Sequence, residues 1–507
     1  MRKLLTLGTL LMACEAAPAE EPRTVEIDEA EAERVTREVQ PLPAGLEHQV
    51  VSFLEQYGRH WPEFRFHGVV LVARGEHVAV ERAFGSADLV AGVPNEVGTS
   101  FRIGTLSAQL TAAAVMRLYE AGALRLDDPV SRHLPDWPGG DAITLEQLLS
   151  HRSGIPTFTD DVAFELWKRG PRPLEGTLEL FRGDPLEFEP GTDTDPSNSN
   201  YVLLGAVLEA VTGKPYEQVV REQVLEPLSL RHTHYAVTDE PQAVGMAWSD
   251  DEILEVVDRV HPSAFGPAGG WLSTAGDLLR LAQGLGHDAL LSRHGTMRMQ
   301  GLTDDGLGYG WAPSEVAGQS ALSWPGLIDG FNGAVLYVPA DDTTIIVLSN
   351  CEVIPAGELV EGIAALAYEQ ERPRREEPQA VPVPIEDQLH AVGRYVPTRG
   401  TEEALAASGA DAASIGEVFV RRDGDRLVFD VPGHGRKRMH PLGGGRYFFK
   451  DGVQTRAQVI VRVDERPLLV LEAAGGEVRF VQTSSSPTPA PSGAGDEEVF
   501  MRVTAPR

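Results

Sequence analysis

The feature that most constrains this chain is the placement of β-type apolar runs at both ends of one long segment, with helical spacing between them. Gly68-Val69-Val70-Leu71-Val72-Ala73 and His77-Val78-Ala79-Val80 flank Arg74-Gly75-Glu76, which is the pattern of a hairpin. Runs of the same kind return at Ala334–Val338 and Thr344–Leu348. Ahead of the hairpin, Leu46, Val50, Phe53, Leu54 and Tyr57 fall at the spacing of an amphipathic helix. Strands need partners, so the two ends must meet in one sheet. The expectation is a single α+β domain over residues 45–368 whose sheet pairs N- and C-terminal segments.

The pattern then changes. Residues 369–387 carry charges and Pro373, Pro378, Pro382 and Pro384, which fits a stiff, exposed linker. Short β runs follow at Val418–Arg421, Arg426–Val431, Arg446–Lys450, Ala457–Val463 and Pro467–Ala473, separated by Gly- and Asp-containing turns. They predict a small all-β domain over 388–482, a barrel or a sandwich. Residues 483–497 are Ser/Pro/Ala-rich and of low complexity, and 498–507 read as a final strand and tail.

The beginning of the chain reads as an address. Met1-Arg2-Lys3 is a positive n-region, Leu4–Ala13 a short apolar stretch, and Leu11-Met12-Ala13-Cys14 looks like a bacterial lipobox. That stretch is too short to span a bilayer. Residues 1–19 are therefore expected to be a signal, with Cys14 lipidated; an ordinary secretory signal cut after Ala19 is the alternative. Residues 20–44 form an acidic tether. The expected location is outside the cytoplasm, lipid-anchored in the cell envelope, otherwise periplasmic or secreted, with membrane contact through the lipid alone. Besides Cys14 only Cys351 is present, so no disulfide framework is expected. With a formal net charge of -31 and no basic stripe, nucleic acid is not an expected partner.

At Phe101 the segment Phe101-Arg102-Ile103-Gly104-Thr105-Leu106-Ser107-Ala108-Gln109-Leu110-Thr111 resembles the active-site segment of class C β-lactamase-like serine hydrolases. Downstream, Leu126-Asp127-Asp128-Pro129-Val130, Leu148-Leu149-Ser150-His151-Arg152-Ser153-Gly154, Pro190-Gly191-Thr192, Asn200-Tyr201, Ala268-Gly269-Gly270, Ser273-Thr274-Ala275-Gly276-Asp277 and Leu348-Ser349-Asn350 follow in the family's order. The resemblance, to penicillin-binding proteins, D-aminopeptidases and esterases as well, runs over roughly residues 48–368 and implies a β-lactamase/transpeptidase-like fold.

It also implies a chemistry. In the family a Ser and a Lys three residues later share one helix face, so the amine can take the hydroxyl proton. A Tyr-x-Asn segment supplies a phenol, and a Lys-Thr-Gly or His-x-Gly strand supplies the last polar group and part of the oxyanion hole. Here those positions read Thr105 for the nucleophile, Ala108 for the lysine, Pro196 for the phenol and Trp324 for the strand group. Asn198 and Gly326 match the family's substrate-contacting amide and strand glycine, and Ser107 is a packing residue or a further binding candidate. Ala108 cannot accept a proton. The chain's five lysines, Lys3, Lys168, Lys214, Lys437 and Lys450, occupy no motif position, and arginine stays protonated. His151 is a base in principle, but its turn is read as structural.

Other chemistries have little support. No His-Glu-x-x-His pair is present, and His232-Thr233-His234 reads as a surface loop, so no metal or other cofactor is expected. Gly443-Gly444-Gly445 lies among β runs and reads as a turn. Asp127-Asp128-Pro129 reads as local hydrogen bonding. The sequence therefore points to a pseudoenzyme of the serine β-lactamase-like fold, taking a small-molecule or peptide ligand in the family cleft. A working hydrolase using Thr105, and a structural or adhesion lipoprotein, are the competing readings.

Overall fold

The computed structural model describes residues 41–59, 65–160, 164, 167–235, 242–248, 254–257, 260–301, 308–371, 381–398, 418–424, 426–431, 435–443, 445–448, 456–460, 467–473 and 476–484. Contacts divide the chain into two units, with the boundary between Glu377 and Pro378. Cys14 and the signal, most of the tether, and residues 498–507 lie outside the described residues.

The first unit begins at Leu42, which is already buried, so the last residues assigned to the tether belong to the fold. Helix α1 (Leu46–Arg59) precedes the hairpin of β1 (Gly68–Arg74) and β2 (His77–Phe84). The middle of the unit carries α2 (Ser107–Glu120), α3 (Leu145–Leu149), α4 (Asn198–Thr212) and α5 (Ala275–Gly286). The chain returns as β3 (Ala312–Val316), β4 (Gln319–Ile328), β5 (Phe331–Val338) and β6 (Thr343–Ser349), and closes with α6 (Ala356–Ala367). The sheet order is β3-β4-β5-β6-β1-β2, with every neighbouring pair antiparallel. The two ends meet as expected: β1 pairs with β6 from Gly68↔Ser349 to Arg74↔Thr343.

Strand β1 reads as an unbroken apolar run because both its faces are covered. Val69, Leu71 and Ala73 pack into one core with α2 and α5, whereas Val70 and Val72 face a second core with α1 and α6. Burying each such side chain contributes about 1.5–3 kcal/mol. Strand β3 and most of β4 escaped the sequence pattern. Pro313 sits on the edge strand and Pro325 within β4, and prolines argue against a strand when sequence alone is read.

Helix α2 is buried on all sides from Ser107 to Met116, including Ser107, Gln109 and Thr111. It is the central helix of the unit, and its N-terminus carries the candidate site.

The second unit opens with a short helix at Ile385–Gln388, so the expected linker ends before residue 387. Eight strands follow: β7 (Gly393–Pro397), β8 (Val418–Asp423), β9 (Arg426–Val431), β10 (Gly435–Gly443), β11 (Arg446–Phe448), β12 (Arg456–Ile460), β13 (Leu468–Ala473) and β14 (Gly476–Ser484). Each pairs with the next, and β7 pairs with β14, for example Tyr395↔Gln482, so the module is a closed barrel. Tyr395, Leu427, Phe429, Leu469, Leu471 and Phe480 are buried in it. Strand β14 runs two residues into the low-complexity segment, and Thr483 Oγ1 donates to Arg394 O at 3.2 Å. Among the described residues no helix is long and apolar enough to cross a membrane.

Candidate functional site

The site begins where backbone meets backbone. Phe101 pairs with Ser273, and Ile103 N–H donates to Trp271 O at 3.1 Å, which aims the following turn at β4. That turn, Gly104–Leu106, leads directly into α2. Gly104 has φ +51°, and a Cβ there would lie 2.2 Å from Leu327 O; a Cβ on Gly326 would lie 2.6 Å from Ile103 O. Only glycine at both positions lets the turn and the strand touch.

Thr105 is held inside this contact. Its hydroxyl donates to Pro325 O at 2.8 Å and accepts from Leu327 N–H at 3.2 Å. The Trp324 indole Nε1–H donates to Thr105 O at 2.8 Å. Every hydrogen bond of the Thr105 hydroxyl among the described residues therefore goes to backbone, and none to a Lys, His, Tyr or carboxylate. A peptide carbonyl does not take a proton at neutral pH, so the hydroxyl is anchored and not activated. The Leu327 amide is the donor a strand would offer to a developing oxyanion, and it is occupied by Thr105 itself.

One helical turn on, Ala108 is buried and presents only a methyl group. The backbone of Gly310 (φ +69°) presses on the same stretch, with a Cβ there 3.2 Å from Ala108 C and 2.9 Å from Gln109 Cα. Ser107 is wholly buried and lies 3.4 Å from Trp271 N. Its side chain has no route to a ligand, so of its two readings the packing one describes it.

The opposite wall comes from α3 and α4. Thr144 and Gln147 form a reciprocal capping box that starts α3. Just past the end of that helix His151 takes a left-handed backbone, φ +58°. Its Nδ1 accepts from Ser197 N–H at 3.1 Å, and Asn200 Nδ2 lies 3.4 Å from it. Asn200 Oδ1 in turn accepts from Ser153 Oγ at 2.5 Å, which turns its amide nitrogen toward the imidazole. The ring lies against Tyr201, with centroids 5.2 Å apart, and stacks on Trp324 at 6.2 Å and an interplanar angle of 10°. Burial pushes the imidazole pKa down to about 4, so His151 is neutral at physiological pH. With Nδ1 accepting, the proton sits on Nε2.

Pro196 is exposed at this wall. Asn198 is fixed by Thr157 and Thr159: its N–H donates to Thr157 Oγ1 at 3.1 Å and its Nδ2 to Thr159 Oγ1 at 3.2 Å. The structure thus brings Thr105, Trp324, Gly326 and His151 together, and links Asn198 to them through Ser197. Sequence reasoning missed Pro325, Leu327 and Ser197 as members of the site. Their only signal was adjacency to the motif positions, because they act through backbone groups that every residue type carries.

Lys168 is buried, and its Nζ pairs with Asp329 Oδ2 at 2.7 Å, in the turn after β4. Lys214 pairs with Glu222 at 2.5 Å. The segment His232-Thr233-His234 is not the surface loop expected. Thr233 is buried and bonds Asp277 at 2.9 Å, and His234 pairs with Leu272 in a short sheet. Asp128 Oδ2 accepts from Arg125 N–H at 2.9 Å, the local bonding expected of the Asp-Pro turn. Among the described residues no group of three His, Cys, Asp or Glu could hold a metal ion.

The Beta-lactamase family model matches residues 54–370, more than half the chain. The chain belongs to the Beta-lactamase family. Within this family it is 27% identical over 304 residues to PbpX of Bacillus subtilis (strain 168), named as a penicillin-binding protein; the match covers 59% of this chain and 74% of that one. Among solved structures, an octameric penicillin-binding protein homologue from Pyrococcus abyssi superposes with a TM-score of 0.59 at 22% identity, covering 85% of this chain and 99% of that one. EstCE1, described as a hydrolase with promiscuous acyltransferase activity, gives a TM-score of 0.56 at 26% identity over 64% of this chain and 98% of its own. The β-lactamase/transpeptidase-like fold expected from the motif order is the fold observed in this Beta-lactamase family member.

Proposed function

We propose that this member of the Beta-lactamase family is a pseudoenzyme, exported and held at the cell envelope through lipid on Cys14, where its cleft serves binding or regulation. One observation carries this reading: among the described residues the Thr105 hydroxyl bonds only to Pro325 O and Leu327 N–H, and to no titratable group. Threonine needs an adjacent base to attack an acyl carbon, and the positions that would supply base and phenol hold Ala108 and Pro196. Trp324 supports the same reading. Its indole occupies the strand position between His151 and Thr105, and it has no proton to relay at neutral pH.

The test is direct. Purified protein is challenged with a fluorescent penicillin, a chromogenic cephalosporin and short-chain nitrophenyl esters, with Thr105→Ala as the control. The expected result is no covalent labelling and no turnover above that control. Labelling or turnover that disappears in Thr105→Ala would overturn the proposal and establish a threonine hydrolase. The anchor is tested apart from the cleft: mass spectrometry of the mature N-terminus should find a lipidated Cys14, and a free N-terminus at another residue would remove that part.

A further inference from the structure

A short hairpin of the first unit presents aliphatic side chains to water. Its arms pair Ser86↔Pro94 and Asp88↔Val93, and at its tip Leu89 is 40% exposed, Val90 72% and Val93 49%. The tip reads Leu89-Val90-Ala91-Gly92-Val93-Pro94, and between Arg82 and Arg102 the only charged residues are Asp88 and Glu96. An exposed apolar run of this kind burdens solubility unless it has a use.

The hairpin is held at both ends. At its base the buried Asn350 donates from Nδ2 to Ser86 O at 3.1 Å and Ala87 O at 3.2 Å, and Asn95 Nδ2 donates to Phe84 O at 2.9 Å. At its tip Asp88 Oδ1 accepts from Val90 N–H at 2.9 Å and Ala91 N–H at 2.8 Å, and Gly92 turns the chain at φ +68°. Those two amides are already bonded, so moving the tip out of water costs less than it would for a bare loop.

The hairpin also stands beside the point where the tether joins the fold. Leu42 and Leu46 are buried, and Glu47, in the first turn of α1, is bonded to Arg82 of β2. Val90 is eight residues beyond Arg82, so the tip lies within about 29 Å of that junction. Residues 15–41 span no more than about 90 Å in any conformation, so a chain anchored at Cys14 keeps this tip close to the bilayer.

We infer that the Leu89–Val93 tip is a docking finger that dips into a neutral lipid surface and sets which face of the first unit meets the membrane. This rests on the anchored reading and names the surface the anchored unit meets. Anionic lipid is disfavoured, because the finger carries only acidic charges and the chain's net charge is -31.

The experiment uses residues 15–507 with a polyhistidine tag in place of the signal, bound to phosphatidylcholine vesicles through a little nickel-chelating lipid. The tag supplies the tether whether or not Cys14 is lipidated. Val90→Cys carries an environment-sensitive fluorophore, Cys351 being buried. The expected result is a blue shift and quenching by brominated phosphatidylcholine. Adding Leu89→Asp and Val93→Asp should lower the inserted fraction about tenfold or more, since two aliphatic side chains are lost and two charges would have to leave water. Both positions are exposed, so the fold should survive, which a melting curve verifies. Phosphatidylglycerol in place of part of the phosphatidylcholine should reduce insertion. A label that stays in water on the vesicles, equal quenching in the aspartate variant, or insertion that requires the anionic lipid overturns the inference. So does shielding of the label without vesicles together with a doubled mass in solution, which would make the occupant a second copy. An unlipidated Cys14 would remove the anchor and leave this measurement standing, so the two failures are distinct.

Discussion

The indole of Trp324 donates its N–H to the carbonyl of Thr105 at 2.8 Å, so two residues that the sequence resemblance singled out are bonded to each other. The Thr105 hydroxyl closes the reverse contact on Pro325 and Leu327, the residues next along the same strand. The turn that leads into α2 is thereby stitched to β4 by three hydrogen bonds.

The stitching predicts a split between two conservative changes. Thr105→Ser keeps both hydroxyl bonds and should change stability by less than about 1 kcal/mol, without gain of activity, because no base is near. Thr105→Val is nearly isosteric but strands Pro325 O and Leu327 N–H, and should cost about 1–3 kcal/mol. Chemical denaturation of both variants checks this. Equal stability would mean that the hydroxyl bonds contribute nothing.

Restoration should behave as a unit. Thr105→Ser, Ala108→Lys, Pro196→Tyr and Trp324→His are each expected to give no penicillin labelling alone, since single members of such a group are worth little without the others. The fourfold variant is expected to label. Labelling by any single variant would show that an unseen base already exists.

Close packing of the turn predicts a strong position effect among glycines. Gly104→Ala must accept φ +51° and a methyl 2.2 Å from Leu327 O, and should destabilise by about 2–4 kcal/mol. Gly122 has φ +71° but nothing within 4 Å, so Gly122→Ala should cost only about 1 kcal/mol. Melting curves of the two variants decide it, and similar losses would refute the close contact.

His151 predicts part of the pH dependence. Its pKa falls from 6.5 in the unfolded chain to about 4 in the fold, so between those values the unfolded state binds the proton and the native state does not. Stability attributable to His151 is complete above about pH 6.5 and is lost as the pH falls toward 4, by about 3 kcal/mol in total. His67 is shifted in the same direction by burial and adds to the slope. His151→Asn, which tolerates the left-handed backbone, should flatten the melting temperature between pH 7 and 4.5 relative to wild type. Parallel curves would show that His151 does not titrate on unfolding.

Much of the fold could be read from the chain because it rests on local pattern. Val69 to Ala73 announce a strand covered on both faces, and Leu46, Val50 and Leu54 announce a helix covered on one. Strands such as β10, running through Gly435, Arg436, Lys437 and Arg438, carry no apolar alternation and became visible only by pairing with β9. The choice between barrel and sandwich was invisible for a related reason. It depends on β7 finding β14, a contact between distant residues that no local window contains.

The site divides in the same way. Sequence by itself drew attention to Thr105, Ala108, Pro196 and Trp324 through the motif order, because identity and order are properties of the linear chain. Only the tertiary structure decided what those residues do instead. Thr105 lies 220 positions from Pro325, and their bond exists because Gly104 and Gly326 let two backbones touch. Backbone carbonyls and amides complete that arrangement. Every residue carries them, so where they converge is set by the fold and not by the letters of the sequence.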